Sequence, residues 1–304
     1  MKRRAFLFST LIPAAAQDWR HSAAFHRLYN LDFEAAIPLL EKDCAQSPAD
    51  PHHHNNLAYA ILYRALFAAD ALDGAVALSI SSYLNRPPVP FSPSERARFS
   101  TALARAEQAA HARDQSADSL YALGVSQTHR ANLALLIDKH WRTALRTAGE
   151  ARKLHARALS LDSRLLDAQL VPSFHEYVLG SLPFFIKALG FLVGFSGEKA
   201  KGIDGLRAVA QYGFRAKLEA QVLLALVERR EQHPERAVAI MHTLAQEFPS
   251  NHLYRREVAN LLLAAKRPEE ARREFAQLSE PRYCFLKPAR LQIYRQEFEA
   301  LLHA

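Results

Sequence analysis

The sequence predicts an all-α fold built from antiparallel helix pairs, and three observations support this. The 304 residues include only 10 Gly, against an average usage of roughly 7%, which leaves few residues for the tight turns of strand-rich folds. They also include 53 Ala, the best helix former. Finally, apolar residues recur at i, i+3, i+4 and i+7 over long stretches, the spacing of an amphipathic helix, and no stretch alternates as a strand would.

Residues 1–16 have the three parts of an export signal. Lys2, Arg3 and Arg4 are followed by an apolar run and then by Ala14-Ala15-Ala16 before Gln17, a small-residue cleavage site. The Arg pair followed by Ala-Phe-Leu is similar to a twin-arginine signal, and the Sec route remains an alternative. We therefore expect a periplasmic or secreted protein. Its net charge falls from +8 to +5 on cleavage, and we expect no nucleic-acid partner.

Helix starts are marked by capping residues and prolines. Asp32 precedes Phe33 as an N-cap, and Asp50 precedes a proline at a first helical position. Ser92-Pro93-Ser94-Glu95 reads as a capping box, in which the Ser and Glu side chains exchange hydrogen bonds with the backbone. Pro234 and Pro268 mark two further starts.

A 34-residue internal period connects two stretches of the C-terminal part. Small or apolar residues recur at this offset. Within each stretch an Ala is followed 12 residues later by another Ala or by a Pro. The same spacing of 12 occurs near the start of the chain, at Ala24, Ala36 and Pro48. The 34-residue pairs are Ala225 and Ala259, Leu224 and Val258, Ala237 and Ala271, and Met241 and Phe275. Small residues at this spacing let the two helices of a pair approach closely, and Pro ends the second helix.

These residues resemble the tetratricopeptide repeat, which has small residues at its eighth and twentieth positions and Pro at its thirty-second. Three units match: residues 17–50, 218–251 and 252–280. The third has Tyr283 in place of Pro. The family's large aromatic at the fourth position is replaced by Arg20, Gln221 and Arg255. The resemblance implies a right-handed superhelix, or solenoid, of antiparallel helix pairs.

The domain organisation predicted from this register has three parts after the signal. Repeat-like helix pairs occupy residues 17–86 and 216–304, and a stretched central part occupies residues 87–215. Within the central part we expect two long helices, at 116–137 and 139–161. Pro87-Pro88-Val89-Pro90 forces an extended connection at its start.

Six of the ten glycines lie in residues 180–205. This range overlaps the most apolar part of the chain, residues 178–195. We expect a short buried helix here, with glycines allowing close helix crossings, and Ser196 as the N-cap of the next helix. A transmembrane helix and a membrane-dipping hairpin are alternatives, as is a lipid pocket lined by Phe184, Phe185, Phe191 and Phe195. The order of Pro, Gly-Phe, Ser-Gly-Glu-Lys and Gly in 179–206 resembles the inclusion-body-clearance branch of tetratricopeptide proteins, which implies a scaffold or adaptor.

The sequence lacks the motifs of common enzymes and metal sites. There is no His-Glu-x-x-His, Gly-x-Ser-x-Gly, phosphate loop or Cys-x-x-Cys. Three consecutive helical side chains, such as His52-His53-His54, point about 100° apart and cannot chelate one ion. His175-Glu176 has no nucleophile partner, and Cys44 and Cys284 are expected to be buried. We predict no catalytic residue, metal or cofactor.

A binding function follows from the resemblance instead. In the family, the first helix of each pair faces a concave groove, and five of its positions contact the ligand. In this sequence those positions fall on Glu219, Val222, Leu226, Arg229 and Arg230, and on Leu253, Arg256, Asn260, Leu263 and Ala264. Arg256 and Asn260 resemble a pair that grips a peptide backbone or carboxylate.

We therefore expect an exported, non-catalytic scaffold or adaptor that binds a protein or peptide through its concave face. The alternative is a periplasmic receptor that holds a lipid or another hydrophobic small molecule at residues 182–195. Residues 178–195 are also the expected site of any peripheral membrane contact.

Overall fold

The structure, a computed structural model, describes residues 22–72, 87–181 and 197–303, and within them every regular element is helical. No helix in these stretches is long and apolar enough to cross a membrane. Thirteen α-helices are described, and neighbours along the chain pack in pairs. They are α1 (Ala23–Tyr29), α2 (Phe33–Gln46), α3 (Pro51–Ala68), α4 (Pro93–His111), α5 (Ala117–Asn132), α6 (Trp141–Leu161), α7 (Leu170–Gly180), α8 (Lys199–Tyr212), α9 (Lys217–Arg230), α10 (Pro234–Glu247), α11 (His252–Ala264), α12 (Pro268–Ala276) and α13 (Pro288–Leu302).

The predicted helix starts at Asp32, Asp50 and Ser92 are confirmed. Asp32 accepts a hydrogen bond from the backbone N–H of Ala35, and Asp50 accepts one from His52. Ser92 forms the full capping box with Glu95. Each side chain satisfies a backbone donor that the first helical turn leaves without an intrahelical partner.

The two long central helices are confirmed, with one shifted boundary. α5 continues as a π-helical turn, Leu133–Ile137, so the helical stretch ends where the sequence predicts. α6 begins at Trp141 rather than at residue 139, because Lys139 adopts a left-handed φ of 59° that a right-handed helix cannot include.

Glycines allow α7 and α8 to cross closely, as expected. A Cβ atom on Gly202 would lie 2.7 Å from the carbonyl oxygen of Ser173, and one on Gly180 would lie 2.7 Å from the Cα of Lys199. The expected cap at residue 196 is outside the described residues, and the helix begins later, at Lys199. The backbone N–H of Glu198 donates to the Glu176 carboxylate, 2.9 Å away, and this contact holds Glu198 in an extended conformation.

The two C-terminal pairs repeat their core positions. Ala225 and Ala259 are both buried, as are Ala237 and Ala271. The remaining pairs at the 34-residue offset, Leu224 with Val258 and Met241 with Phe275, are also buried. Methyl and other compact apolar side chains at these positions allow the helices to pack closely.

The first helix pair, α1 and α2, and the two C-terminal pairs share one type of turn. Leu31, Gln232 and Lys266 have φ values of 68°, 63° and 59°, and each lies two residues before the next helix. In each turn the residue after the left-handed one donates its N–H to the carbonyl five residues earlier, which closes a Schellman motif. These bonds run from Asp32 to Arg27, from His233 to Glu228 and from Arg267 to Leu262. All three left-handed residues occupy the fifteenth position of their unit.

Segments from the N-terminal and C-terminal parts of the chain meet. The Asn251 side chain donates to the carbonyl of Tyr29 at 2.7 Å, and the N–H of Ser250 donates to the Asn30 side chain at 2.8 Å. Asp70 lies 3.4 Å from Arg290. Buried residues of α1–α4 and of α9–α13 accordingly belong to one continuous apolar core.

Candidate functional site

Of the ten residues at the predicted ligand-contacting positions, Leu253 is half-buried and Ala264 is exposed, and the remaining eight differ in how accessible they are. Arg230 is exposed, and Leu226 and Asn260 are buried. The other five are half-buried: Glu219, Val222, Arg229, Arg256 and Leu263.

Arg256 of the predicted Arg256–Asn260 pair faces the C-terminal helix. The Arg256 guanidinium lies 2.7 Å from the Glu297 carboxylate and stacks over the Tyr294 ring at 4.1 Å. Arg229 is likewise paired with Glu257, at 2.8 Å. Because α13 supplies these two partners of Arg256, this arginine is engaged within the chain.

Glu219 instead lies near tyrosines that three other helices contribute. We call this group the tyrosine–glutamate cluster: Tyr29 of α1, Tyr59 and Tyr63 of α3, Glu219 of α9 and Tyr254 of α11. The Tyr29 hydroxyl donates to Oε1 of Glu219 in a short hydrogen bond. The rings of Tyr59 and Tyr63 stack with their centroids 4.0 Å apart. The helices α2, α10 and α12 contribute no member.

Two capped chain segments hold the cluster in place. Oδ1 of the buried Asp167 accepts the N–H groups of Phe214 and Ala216, at 2.8 and 3.0 Å, and this fixes the entry to α9 just before Glu219. Asn251 caps α11 by accepting from Leu253 and Tyr254 while it donates to the Tyr29 carbonyl. One side chain therefore sets the positions of both Tyr29 and Tyr254.

Burial dominates the electrostatics of this cluster. It raises the pKa of Glu219 to about 7 although hydrogen bonds from Tyr29 and from the Glu219 backbone oppose the shift, and the nearby Asp167 charge contributes a smaller part of the increase. Burial and the Glu219 charge together raise the pKa of the Tyr29 and Tyr254 hydroxyls. Oε2 of Glu219 is shielded from water and has no hydrogen-bond partner among the described residues.

A second buried carboxylate on α9 shows the opposite arrangement. Glu228 is 3% exposed, and three cationic or protonatable groups surround it. Arg207 lies 2.7 Å away, His233 3.0 Å and Arg236 3.6 Å. These partners compensate the desolvation of Glu228, whereas none of the cationic side chains of the described residues contributes to the pKa shift of Glu219.

None of the four tyrosines of the cluster was predicted, although the register contained a signal for three of them. Tyr29 is the thirteenth residue of the unit 17–50, which is a ligand-contacting position of the resembled family. Continuing the 34-residue register begins a unit at residue 51 and places Tyr59 and Tyr63 at its ninth and thirteenth positions. The chain-wide contact between α1, α3, α9 and α11 has no such signal, because it depends on helix packing.

The other sequence candidates are placed apart from this cluster. Nε2 of His52 lies 2.9 Å from Asp118, and Nε2 of His54 lies 2.9 Å from the Pro48 carbonyl, so these two imidazoles have different partners. Burial lowers the pKa of His175. Within the described ranges no three His, Cys, Asp or Glu side chains are grouped to hold a metal ion.

Cys44 is buried as expected, but the same expectation for Cys284 is wrong. Cys284 is exposed in the turn between α12 and α13, where few side chains are available to cover it. The phenylalanines Phe184, Phe185, Phe191 and Phe195, the lipid pocket based on them and the export signal at 1–16 all lie outside the described residues.

Comparisons with models of known families, with curated proteins and with solved structures found no match to this chain.

Proposed function

We propose that this chain is an exported, non-catalytic scaffold of the tetratricopeptide kind, which binds a protein or peptide segment on the face shared by its first helices. The tyrosine–glutamate cluster is the observation that carries this proposal. Tyr59, Tyr63 and Tyr254 are half-buried, so each retains some accessible surface. Tyrosine supplies a large contact area with little loss of side-chain entropy, and it is enriched among residues that dominate binding energy.

Two further observations support a repeat architecture for this scaffold. The Schellman turns at Leu31, Gln232 and Lys266 share one position in their units. The positions that recur at the 34-residue offset are buried in both C-terminal pairs. Repeated geometry of this kind is typical of arrays that present one continuous face to a ligand.

A display selection of peptides against the full chain tests the proposal. For a selected peptide, Tyr63→Ala should weaken affinity by roughly tenfold or more, because it removes a central aromatic contact. Tyr212→Ala is the matched control, since Tyr212 is 66% exposed on α8 and lies outside the cluster. Isothermal titration calorimetry gives both affinities.

Two outcomes would overturn the proposal. One is that no peptide is selected by the full chain. The other is that Tyr212→Ala weakens binding as much as Tyr63→Ala, which would place the contact elsewhere. Export is tested separately by N-terminal sequencing of secreted material, which should begin at Gln17.

A further inference from the structure

We infer that the tyrosine–glutamate cluster is a binding site for an organic cation, an ammonium or a guanidinium group. Glu219 would supply the counter-charge, and Tyr59, Tyr63 and Tyr254 would form the walls. This inference rests in part on the proposed function, because a lysine or arginine side chain of a bound peptide is one source of the cation. A free amine is the other source, and the experiment below separates the two.

One carboxylate oxygen of Glu219 has no hydrogen-bond partner among the described residues. A buried carboxylate normally has its oxygens hydrogen-bonded or paired with a cation, since an unpaired buried charge costs several kcal/mol or more. Only Oε1 of Glu219 has a partner, the Tyr29 hydroxyl, and Oε2 has none among the described residues. Glu228, on the same helix, shows that the chain surrounds a structural carboxylate with Arg207, His233 and Arg236.

Aromatic rings of Tyr59 and Tyr254 lie near that carboxylate. Faces of aromatic rings attract cations through their negative quadrupole, and cages of such rings recognise ammonium groups. The stacked pair Tyr59 and Tyr63 lies on α3, and Tyr254 lies on α11 close enough for the Glu219 charge to raise its pKa. A carboxylate with tyrosine rings near it matches the charge of a cation and the chemistry that binds its face.

Cation binding should depend on pH through Glu219. Among the described residues, the titratable groups that interact with Glu219 are Tyr29, Tyr59, Tyr121, Tyr254 and Asp167. None of these is a cation, and burial raises the pKa of Glu219 to about 7. A bound cation favours the ionised carboxylate, so affinity should rise by about tenfold between about pH 6 and pH 8, with release of one proton.

The experiment compares capped pentapeptides that differ only at a central residue. The probes are acetyl-Ala-Ala-Lys-Ala-Ala-amide, its Arg and norleucine counterparts, and n-butylammonium chloride as a free amine. Calorimetry with the full chain should show that the Lys or Arg probe binds at least about tenfold more tightly than the uncharged norleucine probe, the size expected for a desolvated charge pair. Glu219→Gln should abolish that preference.

Two control variants separate the site from general effects. Glu299→Gln removes the same charge from an exposed position on α13 and should leave the preference intact. Tyr254→Phe keeps a ring face and should retain cation binding, whereas Tyr254→Leu should weaken it. Circular dichroism confirms that each variant is folded, and the Tyr254 pair remains informative if Glu219→Gln does not fold.

The outcomes distinguish this inference from the proposed function. Equal binding of the lysine and norleucine probes, or a preference that survives Glu219→Gln, would overturn the cation site while leaving peptide binding sensitive to Tyr63 intact. Glu219-dependent binding of n-butylammonium alone would support the cation site and count against a peptide as its source. Absence of binding by every cationic probe would overturn the inference.

Discussion

At the scale of single residues, three buried histidines make the folded state sensitive to acid. Burial lowers the pKa of His129, His155 and His252 to about 4 in each case. An unfolded histidine takes up its proton near pH 6.5. As pH falls from about 6.5 to about 4, the unfolded chain therefore binds protons that the folded chain does not, and the free energy of unfolding decreases.

We expect each of these histidines to contribute a slope of up to about 1.4 kcal/mol per pH unit in that window. Glu219 acts in the opposite direction. Its folded pKa is raised to about 7, so its stabilising effect is largest below the unfolded value and is lost as pH rises through 7. Three histidines outweigh one carboxyl, and stability should fall on acidification.

Urea denaturation at about pH 7.5 and about pH 5 measures this difference. His155→Gln should reduce the number of protons linked to unfolding by about one, even if the variant is less stable at both pH values. His303→Gln, at an exposed position, is the control and should leave the linkage unchanged. A pH dependence unaffected by His155→Gln would contradict the assignment.

At the scale of helices, the role of a glycine depends on what faces it. Gly202 of α8 packs against the backbone of α7, and a Cβ there would lie 2.8 Å from the Tyr177 Cα. Gly149 of α6 has nothing within 4 Å of its Cβ position. Helix propensity favours Ala over Gly by about 1 kcal/mol at both positions, but only Gly149 has room for the methyl group.

We predict that Gly149→Ala increases the free energy of unfolding by up to about 1 kcal/mol. We predict that Gly202→Ala decreases it by about 1–3 kcal/mol, because α7 and α8 must move apart. Urea denaturation of the two variants under the same conditions gives both values. Stabilisation by Gly202→Ala would falsify the close crossing.

At the scale of the whole molecule, contact between the two ends of the chain depends on a few buried groups. Asn251 caps α11 and also donates to the Tyr29 carbonyl. Ser116 caps α5 only through its own chain segment, by accepting from Ser119. Both residues satisfy helix N-terminal donors, and only Asn251 connects distant parts of the sequence.

Asn251→Ala should therefore cost more than the loss of a cap, about 2–3 kcal/mol, and it should increase amide hydrogen exchange in α1. Ser116→Ala should cost about 1 kcal/mol and leave exchange in α1 unchanged. Equal exchange in α1 for the two variants would show that the Asn251 contact does not hold the ends together.

Much of the local structure was predictable because it depends on neighbouring residues. The caps at Asp32, Asp50 and Ser92 were assigned correctly, since a capping side chain reaches only two or three residues along the chain. α8 begins at Lys199, later than predicted, and the N–H of Glu198 just before it is bound by Glu176, 22 residues earlier, a contact that no local pattern indicates. The same distinction applies to the candidate site, where Glu219 was identified from the register but its tyrosine neighbours were not.

By itself, the sequence determined the helical class, the positions of most helices and the 34-residue recurrence of buried small residues, because composition, capping and periodicity act locally. Only the tertiary structure decided that the N-terminal and C-terminal parts of the chain meet, that α13 engages Arg256, and that the Tyr29 hydroxyl bonds Glu219. These contacts join residues up to 222 positions apart. Their free energy comes from burying surfaces of separate helices together, and no short sequence pattern records which surfaces those are.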